Sequence, residues 1–160
     1  TISQTGIFTE EKVIFSTEHN QIYNTGWRLL KDNIFLGIGP NNFKKECKKY
    51  VAEDPKIYRC SSHPHNTYLE IFVETGIVGF LAVIGLFFFL CFYLLKQLIS
   101  KISKKYSKDF SNFQLCLLLC FFISLFPFIP TGSFFNNYLS IIYFLPTGIF
   151  LWSINKNIKK

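Results

Sequence analysis

The sequence predicts an all-α membrane protein in which a polar, helical head of residues 1–75 precedes three transmembrane helices in residues 76–160. Three observations support this fold class. The second half contains three long apolar runs, basic residues flank those runs, and the head places apolar residues at helical spacing between turn and capping signals. We refer to residues 1–75 as the head and to residues 76–160 as the membrane part.

The three apolar runs have the length and composition of membrane-spanning helices. About 20 apolar residues cross the hydrocarbon core of a bilayer, and we predict spans at about residues 77–97, 111–130 and 137–154. No charged residue lies between Asp109 and Lys156. Three buried core helices of a soluble protein are a poor alternative, because this stretch has too little polar surface to cover itself in water.

Prolines and the missing methionine indicate a larger assembly of helices. Pro127, Pro130 and Pro146 are expected to kink or break their helices. A membrane tolerates such breaks where neighbouring helices satisfy the freed backbone groups. The sequence has no Met, not even at position 1. We therefore expect a fragment of a larger polytopic bundle, cut from a longer protein.

The distribution of charge predicts the orientation of the chain. The net charge is +7, yet residues 1–75 hold nine basic and nine acidic residues, which argues against nucleic acid as a partner. Basic residues beside spans mark the cytoplasmic side. We therefore expect residues 96–109 and the C-terminus in the cytoplasm and residues 1–75 outside. The excess charge comes from lysines that flank the apolar runs: Lys96, Lys101, Lys104, Lys105, Lys108, Lys156, Lys159 and Lys160.

Three helices are predicted in the head. The first covers residues 18–30, and the second runs from Phe43 to about residue 51, with Asn41 or Asn42 as its cap. The third covers residues 67–75 and continues through Gly76 into the first span. The Gly-Ile-Gly-Pro-Asn-Asn segment at 37–42 is interpreted as a turn, since it lacks the Lys and Ser/Thr of a phosphate-binding loop.

The head contains two cysteines, Cys47 and Cys60, thirteen residues apart. If the head lies in an oxidising compartment, this pair is expected to form a disulfide. Such a loop would contribute on the order of 3 kcal/mol through the unfolded state. The alternative is two free thiols in a reducing cytosol. Three further cysteines lie in apolar runs and are interpreted as small hydrophobic residues: Cys91, Cys116 and Cys120.

Residues 59–70 contain the densest set of chemically active side chains. Histidine titrates near neutrality, so His63 or His65 could serve as a general base. Glu70 and Glu74 lie four residues apart on one helix face, where one of them could orient a histidine. Two alternatives stay open. The histidines could simply cap and pack the helix, or they could bind zinc with Cys60, although the spacing is untypical of zinc sites.

His65-Asn66, nine further residues and Gly76-Ile77-Val78-Gly79 match an H-N-x9-G-x-x-G signature. Upstream, Gly26-Trp27 precedes the Phe-Leu-Gly-Ile-Gly-Pro-Asn-Asn-Phe segment at 35–43. Both blocks, in this order and at this spacing, resemble the C-terminal portion of the O-antigen ligase and Wzy-type polysaccharide polymerase family. The resemblance covers residues 15–95. A pair of cysteines before the His-Pro-His-Asn motif is also similar to one branch of that family.

The resemblance implies a metal-independent glycosyltransferase of the bacterial inner membrane, with many spans and a large periplasmic loop. It needs no cofactor. It transfers a glycan from an undecaprenyl-diphosphate carrier onto a hydroxyl of lipid A-core or of another glycan, in ligation or polymerisation of surface polysaccharide. The histidine matching His65 is the general base. His63, Asn66 and Glu70 are expected to contact substrate.

One position departs from the family pattern. The family has an arginine eight residues before the tryptophan, where this sequence has His19. Arg28 lies nine residues further on, on the opposite side of a helix (about 180° away). The diphosphate is therefore expected at His19, at Arg28 or at an arginine upstream.

Two other classes of protein are weighed against this interpretation. A non-enzymatic membrane module, such as a transporter or an assembly subunit, would tend to carry charges inside its spans, and the apolar runs have none. A metal-dependent hydrolase at the membrane surface would lose its activity to a chelator.

Overall fold

The computed structural model describes residues 16–103, 110–128 and 131–158, in which five α-helices and no β-strand occur. The helices are α1 (Thr17–Asp32), α2 (Phe43–Glu53), α3 (Thr67–Ser103), α4 (Asn112–Ser124) and α5 (Asn137–Ile158). The all-α class is therefore confirmed for this part of the chain. Several residues used above for topology and helix breaks lie outside the described residues: Lys104, Lys105, Lys108, Asp109, Pro130, Lys159 and Lys160.

Helices α1 and α2 of the head lie where the sequence predicts them, with each end within two residues. Ser16 starts α1, because its hydroxyl accepts a hydrogen bond from the backbone N–H of His19 at 3.4 Å. The apolar faces of α1 and α2 pack on the first turns of α3. The resulting head core contains Ile22, Leu29, Leu30, Phe43, Cys47 and Val73.

The start of α2 is capped by a residue distant in sequence. Asn42 occupies the N-cap position, but its side chain makes no capping bond and donates to the Ile38 carbonyl at 3.0 Å. Instead the Glu74 carboxylate accepts the backbone N–H groups of Asn41 (2.5 Å) and Phe43 (3.1 Å). A carboxylate is favourable at a helix N-terminus. Asn42 is therefore the N-cap residue by position, as predicted, but Glu74 supplies the capping hydrogen bonds and so joins α2 to α3.

A disulfide links α2 to the segment that carries the histidines. Cys47 of α2 and Cys60 are bonded across thirteen residues, which confirms the predicted pairing. Cys47 is fully buried in the head core. The bridge therefore anchors residue 60, just ahead of His63 and His65, to the most buried part of the head.

Helix α3 is broken at Gly76, where the sequence predicts continuous helix. Gly76 has φ 68° and ψ −164°, outside the helical region. The carbonyl groups freed by this break accept hydrogen bonds from the loop between α1 and α2, and that loop accepts one bond in return. The three bonds are Ile38 N–H to Val73 O (3.0 Å), Gly39 N–H to Glu74 O (2.9 Å) and Ile77 N–H to Ile34 O (2.9 Å).

Two glycines allow this loop to touch the broken helix backbone to backbone. Gly37 has φ 69° and Gly76 has φ 68°, a region that side chains disfavour. A Cβ atom on Gly76 would lie 2.2 Å from the Phe35 oxygen, and one on Gly37 would lie 2.4 Å from the Glu74 carbonyl carbon. Two glycines distant in sequence therefore serve one contact, between residues 34–39 and 73–77, which we call the glycine joint.

In the described part of the chain, two helices are long and apolar enough to cross a membrane by length and composition. They are α3, of 37 residues, and residues 137–155 of α5. In the most apolar stretch of each helix, only 6% of the residues are buried in α3 and 11% in α5. A core helix of a soluble protein would be mostly buried, so the outward apolar surface favours contact with lipid or with further helices.

Helix α4 is shorter than the predicted span at 111–130. It has 13 residues and is about 20 Å long, against about 30 Å for a hydrocarbon core. The helix ends because the chain turns toward the head: the Tyr68 hydroxyl donates to Leu125 O at 2.7 Å, and the Asn66 amide donates to Pro127 O at 3.0 Å. The predicted extent is therefore wrong at its C-terminal end, and the count of three spans is not confirmed.

Helix α5 continues through Pro146, where a kink or break was predicted. In the same turn the Thr147 hydroxyl donates to the Tyr143 carbonyl at 3.0 Å. Helix α4 packs against α5 and α3. The apolar cluster between these helices consists of Tyr68, Phe87, Leu90, Leu118, Phe121, Leu125 and Tyr143.

Candidate active site

The three histidines of the chain lie together at the surface of the head. His63 and His65 belong to residues 60–66, the histidine loop, between the disulfide and α3. Their ring centroids are 4.2 Å apart. His19 of α1 completes the group, with its ring 5.7 Å from that of His65. We call the three rings the histidine cluster. The packing of α1 on α3 places His19 beside the motif histidines.

Thr25 fixes the histidine loop to α1. Thr25 is fully buried, and its hydroxyl accepts the Arg59 N–H at 3.1 Å. The single hydroxyl proton has two acceptors within reach, the carbonyls of Gln21 (2.9 Å) and Arg59 (3.0 Å). The guanidinium of Arg59 forms an exposed ion pair with Glu18 at 2.8 Å. The pair holds the guanidinium at the first turn of α1, the helix that also carries His19. An exposed ion pair of this kind is weak, so the guanidinium can exchange its partner for another anion.

The backbone of His65 adopts a left-handed conformation, with φ 57°. Non-glycine residues rarely adopt it, and a cost of about 1–2 kcal/mol is typical. Pro64 is fully buried, and the Thr131 N–H donates to the His65 carbonyl at 3.3 Å. The surrounding structure therefore holds His65 in a conformation that its side chain opposes, as is common at functional sites.

Both loop histidines are held in their neutral form near neutral pH. Burial lowers the pKa of His65 below 6.5, and the charges of His63 and His19 lower it further. Burial also lowers the pKa of His63, partly opposed by its hydrogen bond to Thr131. The His63 Nε2–H donates to that carbonyl at 3.3 Å, and Nδ1 accepts from Ser62 at 2.8 Å.

Residues 131–136 directly precede α5, and we call them the 131–136 connection. They pack on the histidine loop and on the first turn of α3. The first residue of the connection alone forms three of the contacts. Thr131 donates its N–H to the His65 carbonyl (3.3 Å), accepts from His63, and shares a hydroxyl hydrogen bond of 2.6 Å with Thr67. The sequence gives no sign of this contact, because the partners lie more than 60 residues apart and the connecting residues match no motif.

Glu70 holds the same connection in place. Its carboxylate is buried, with 1% exposure. One oxygen accepts from the Ser133 hydroxyl at 2.5 Å and the other from the Phe134 N–H at 2.8 Å. Glu74, four residues on, caps α2 as described above. Both glutamates thus bind the protein's own loops, so the structure gives each of them a positioning contact.

Asn66 and Arg28 also bind groups of the protein itself. Asn66 caps α3 by accepting the Leu69 N–H at 3.0 Å, while its amide holds the turn after α4. Arg28 pairs with Asp32 at 3.8 Å, and its guanidinium lies 6.0 Å from the centre of the Tyr50 ring. The structure therefore places Arg28 toward α2, away from the histidine cluster.

The zinc interpretation loses its sulfur ligand, because Cys60 is bonded to Cys47. Within residues 16–103, 110–128 and 131–158, no group of three or more His, Cys, Asp or Glu side chains is arranged to hold a metal ion.

Fold and site together define an all-helical protein in which a histidine-bearing head continues into an apolar helix of membrane-spanning length. Residues 16–84 match the family model described as O-antigen ligase. This segment contains the histidine cluster, the glycine joint and the start of the apolar helix. The resemblance indicated by the motifs is therefore confirmed over these residues. No curated protein and no solved structure matches the chain.

Proposed function

We propose that this chain is part of a membrane glycosyltransferase that moves a glycan from undecaprenyl diphosphate to an acceptor hydroxyl. The acceptor is lipid A-core in ligation or a second carrier-linked glycan in polymerisation. The observation that carries the proposal concerns His65. Its imidazole is neutral, its backbone is strained, and it lies in a segment that matches the O-antigen ligase family model. Transfer of this kind needs a base at the acceptor oxygen and a cationic group at the diphosphate.

The proposed step has a simple balance of bonds. The acceptor oxygen forms a bond to the anomeric carbon, and the bond from that carbon to the diphosphate oxygen breaks. The proton of the acceptor hydroxyl passes to His65. The Ser61 hydroxyl lies 3.0 Å from His65 Nε2. In the proposed tautomer, Nε2–H donates to Ser61, and Nδ1 takes the proton.

Arg59 is our candidate for holding the diphosphate, together with His19. A guanidinium binds phosphate oxygens in pairs, and the buried Thr25 hydroxyl holds the backbone of Arg59 by accepting its N–H. The ion pair with Glu18 supports this choice, because it holds the guanidinium at the first turn of α1, the helix that carries His19. Arg28 is the weaker candidate, because its partners lie toward α2.

In this proposal the head lies in the periplasm of a bacterial inner membrane. Lys96 and Lys101 near the end of α3 then lie on the cytoplasmic side, in agreement with the distribution of basic residues around spans. The apolar part of α3 starts at residue 77, directly after the glycine joint. The histidine cluster would thus be close to the membrane surface, where a lipid-linked diphosphate is exposed.

The test is replacement of His65 in the complete membrane protein. Asparagine tolerates the left-handed conformation, so His65→Asn removes the base and keeps the backbone. We expect loss of glycan transfer with normal membrane insertion. His65→Gly relaxes the backbone and leaves space, so added imidazole should restore part of the transfer.

Asn24→Ala, at an exposed position of α1, is the control and should transfer at the wild-type rate. Wild-type transfer by His65→Asn, measured as glycan product on a gel, would reject His65 as the base.

A further inference from the structure

A cleft of about 510 Å³ opens beside His63. Its walls come from three separate parts of the chain: the turn before α2, the histidine loop, and the 131–136 connection with the first turn of α5. The polar side chains that line it are Asn41, Ser62, His63, Ser133, Asn136 and Tyr138. The volume is within the range of about 300–1,000 Å³ typical of small-molecule sites.

The lining has the chemistry of a site for hydroxyl groups. Amides and hydroxyls both donate and accept hydrogen bonds, and the Tyr138 ring supplies a flat apolar surface. None of the described residues that line the cleft is Asp, Glu, Lys or Arg. A neutral ring bearing several hydroxyls suits this lining, whereas a diphosphate would find no cationic partner there.

The cleft is connected to the histidine cluster through one side chain. His63 lines the cleft, and its ring centroid is 4.2 Å from that of His65. A sugar ring bound in the cleft would thus contact His63, whose ring lies next to that of His65, the proposed base. Glu70 holds the wall formed by the 131–136 connection in place, because its carboxylate binds Ser133 and Phe134.

We propose that this cleft is a subsite for a neutral sugar ring of the glycan substrates, contacted by Asn41 and Tyr138. This inference rests on the proposed function, since it places the glycan next to His65. The ring could belong to the acceptor or to the glycan on the donor lipid. Both have the same chemistry, and kinetics with each substrate varied in turn distinguish them.

Two substitutions remove the cleft contacts without disturbing the backbone. Asn41 has φ 60°, so Asn41→Gly keeps an allowed conformation and retains the N–H that binds Glu74. Tyr138 is 74% exposed, so Tyr138→Ala removes the ring at small cost in packing. Asn24→Ala is the matched control for loss of an exposed amide outside the cleft.

The experiment uses the complete protein in nanodiscs, with its lipid-linked donor and its acceptor. Loss of one neutral hydrogen bond corresponds to about a fivefold change in binding. We expect each cleft variant to raise KM about fivefold for one of the two substrates, with kcat within twofold of wild type. A rise in the acceptor KM assigns the cleft to the acceptor, and a rise in the donor KM assigns it to the donor.

Three results would overturn the subsite. Unchanged KM values for both substrates, with active wild type and inactive His65→Asn, would reject the cleft and leave the proposed function standing. A fall in kcat with both KM values unchanged would reject it in the same way. Full transfer by His65→Asn would reject the proposed function, and the cleft assignment with it.

If Tyr138→Ala lowers the melting temperature, the kinetics of that variant are not used. Binding of the free oligosaccharide to wild type and to Asn41→Gly is then measured by saturation-transfer NMR. Loss of the transfer signal supports the subsite, and an undiminished signal rejects it.

Discussion

Substitution of Gly76 by Ala is expected to open the glycine joint. The new Cβ would lie 2.2 Å from the Phe35 oxygen, and real Cβ atoms stay beyond 3.0 Å. Residues 34–39 must therefore retreat by about 0.8 Å, the difference between these distances. With φ 68° and ψ −164°, position 76 has a conformation that is essentially restricted to glycine and that costs an L-residue about 1–3 kcal/mol. The retreat also weakens three backbone hydrogen bonds worth about 1 kcal/mol each, so we expect a total loss of about 3–5 kcal/mol.

Hydrogen exchange measures this loss at the joint itself. The N–H groups of Ile38, Gly39 and Ile77 donate across it, so their protection reports its opening. A loss of about 3–5 kcal/mol corresponds to a hundredfold to several-thousandfold faster exchange. Gly85→Ala is the matched control in the same helix, since no atom lies within 4 Å of its added Cβ.

We expect Gly85→Ala to leave exchange at the joint unchanged, because alanine favours helix over glycine. Wild-type protection at the three amides in Gly76→Ala would refute the close backbone approach as the reason for glycine at this position.

Three further predictions follow from the site and the head. The pH profile of kcat/KM should have an acid limb below pH 6.5, because burial and neighbouring imidazoles lower the pKa of His65 and the rate falls as the neutral base is protonated; an acid limb above pH 6.5 in initial-rate measurements would contradict this. Glu74→Gln should lower the stability of the head by about 2 kcal/mol, since one amide oxygen cannot serve two N–H donors; an unchanged melting curve would count against the cap. Replacing Cys47 and Cys60 with Ala should cost about 3 kcal/mol, seen as a lower melting temperature without reductant, and equal melting of variant and wild type would show that the bridge adds nothing.

Local signals in the sequence were sufficient for much of the head. Apolar residues at helical spacing located α1 and α2, and compartment and pairing arguments led to the Cys47–Cys60 bridge. The motif spacing singled out His65, and the structure adds its neighbours. These features depend on residues close in sequence, or on a resemblance that already includes distant ones.

Features set by distant contacts were missed or misjudged. The break at Gly76 is hidden because apolar residues continue across it, and its partner Gly37 lies 39 residues earlier. Helix α4 ends early because Tyr68 and Asn66 bind carbonyls beyond its last turn. Glu70 is expected to contact substrate, and that prediction is untested; its contacts with Ser133 and Phe134 were not predicted. A buried carboxylate and a catalytic one look alike in a sequence.

The helical stretch between Asn66 and Gly76 sets the distance between the histidine loop and the break in α3. It contains nine residues, 67–75, and so measures about 14 Å along its axis. Its N-terminal end adjoins His65, and its C-terminal end is the bend at Gly76, where the apolar helix begins. Inserting or deleting a single residue would shift the imidazole by about 1.5 Å and rotate it by about 100°. The nine-residue spacing in the motif is thus a length, which sets the distance between His65 and the start of the apolar helix.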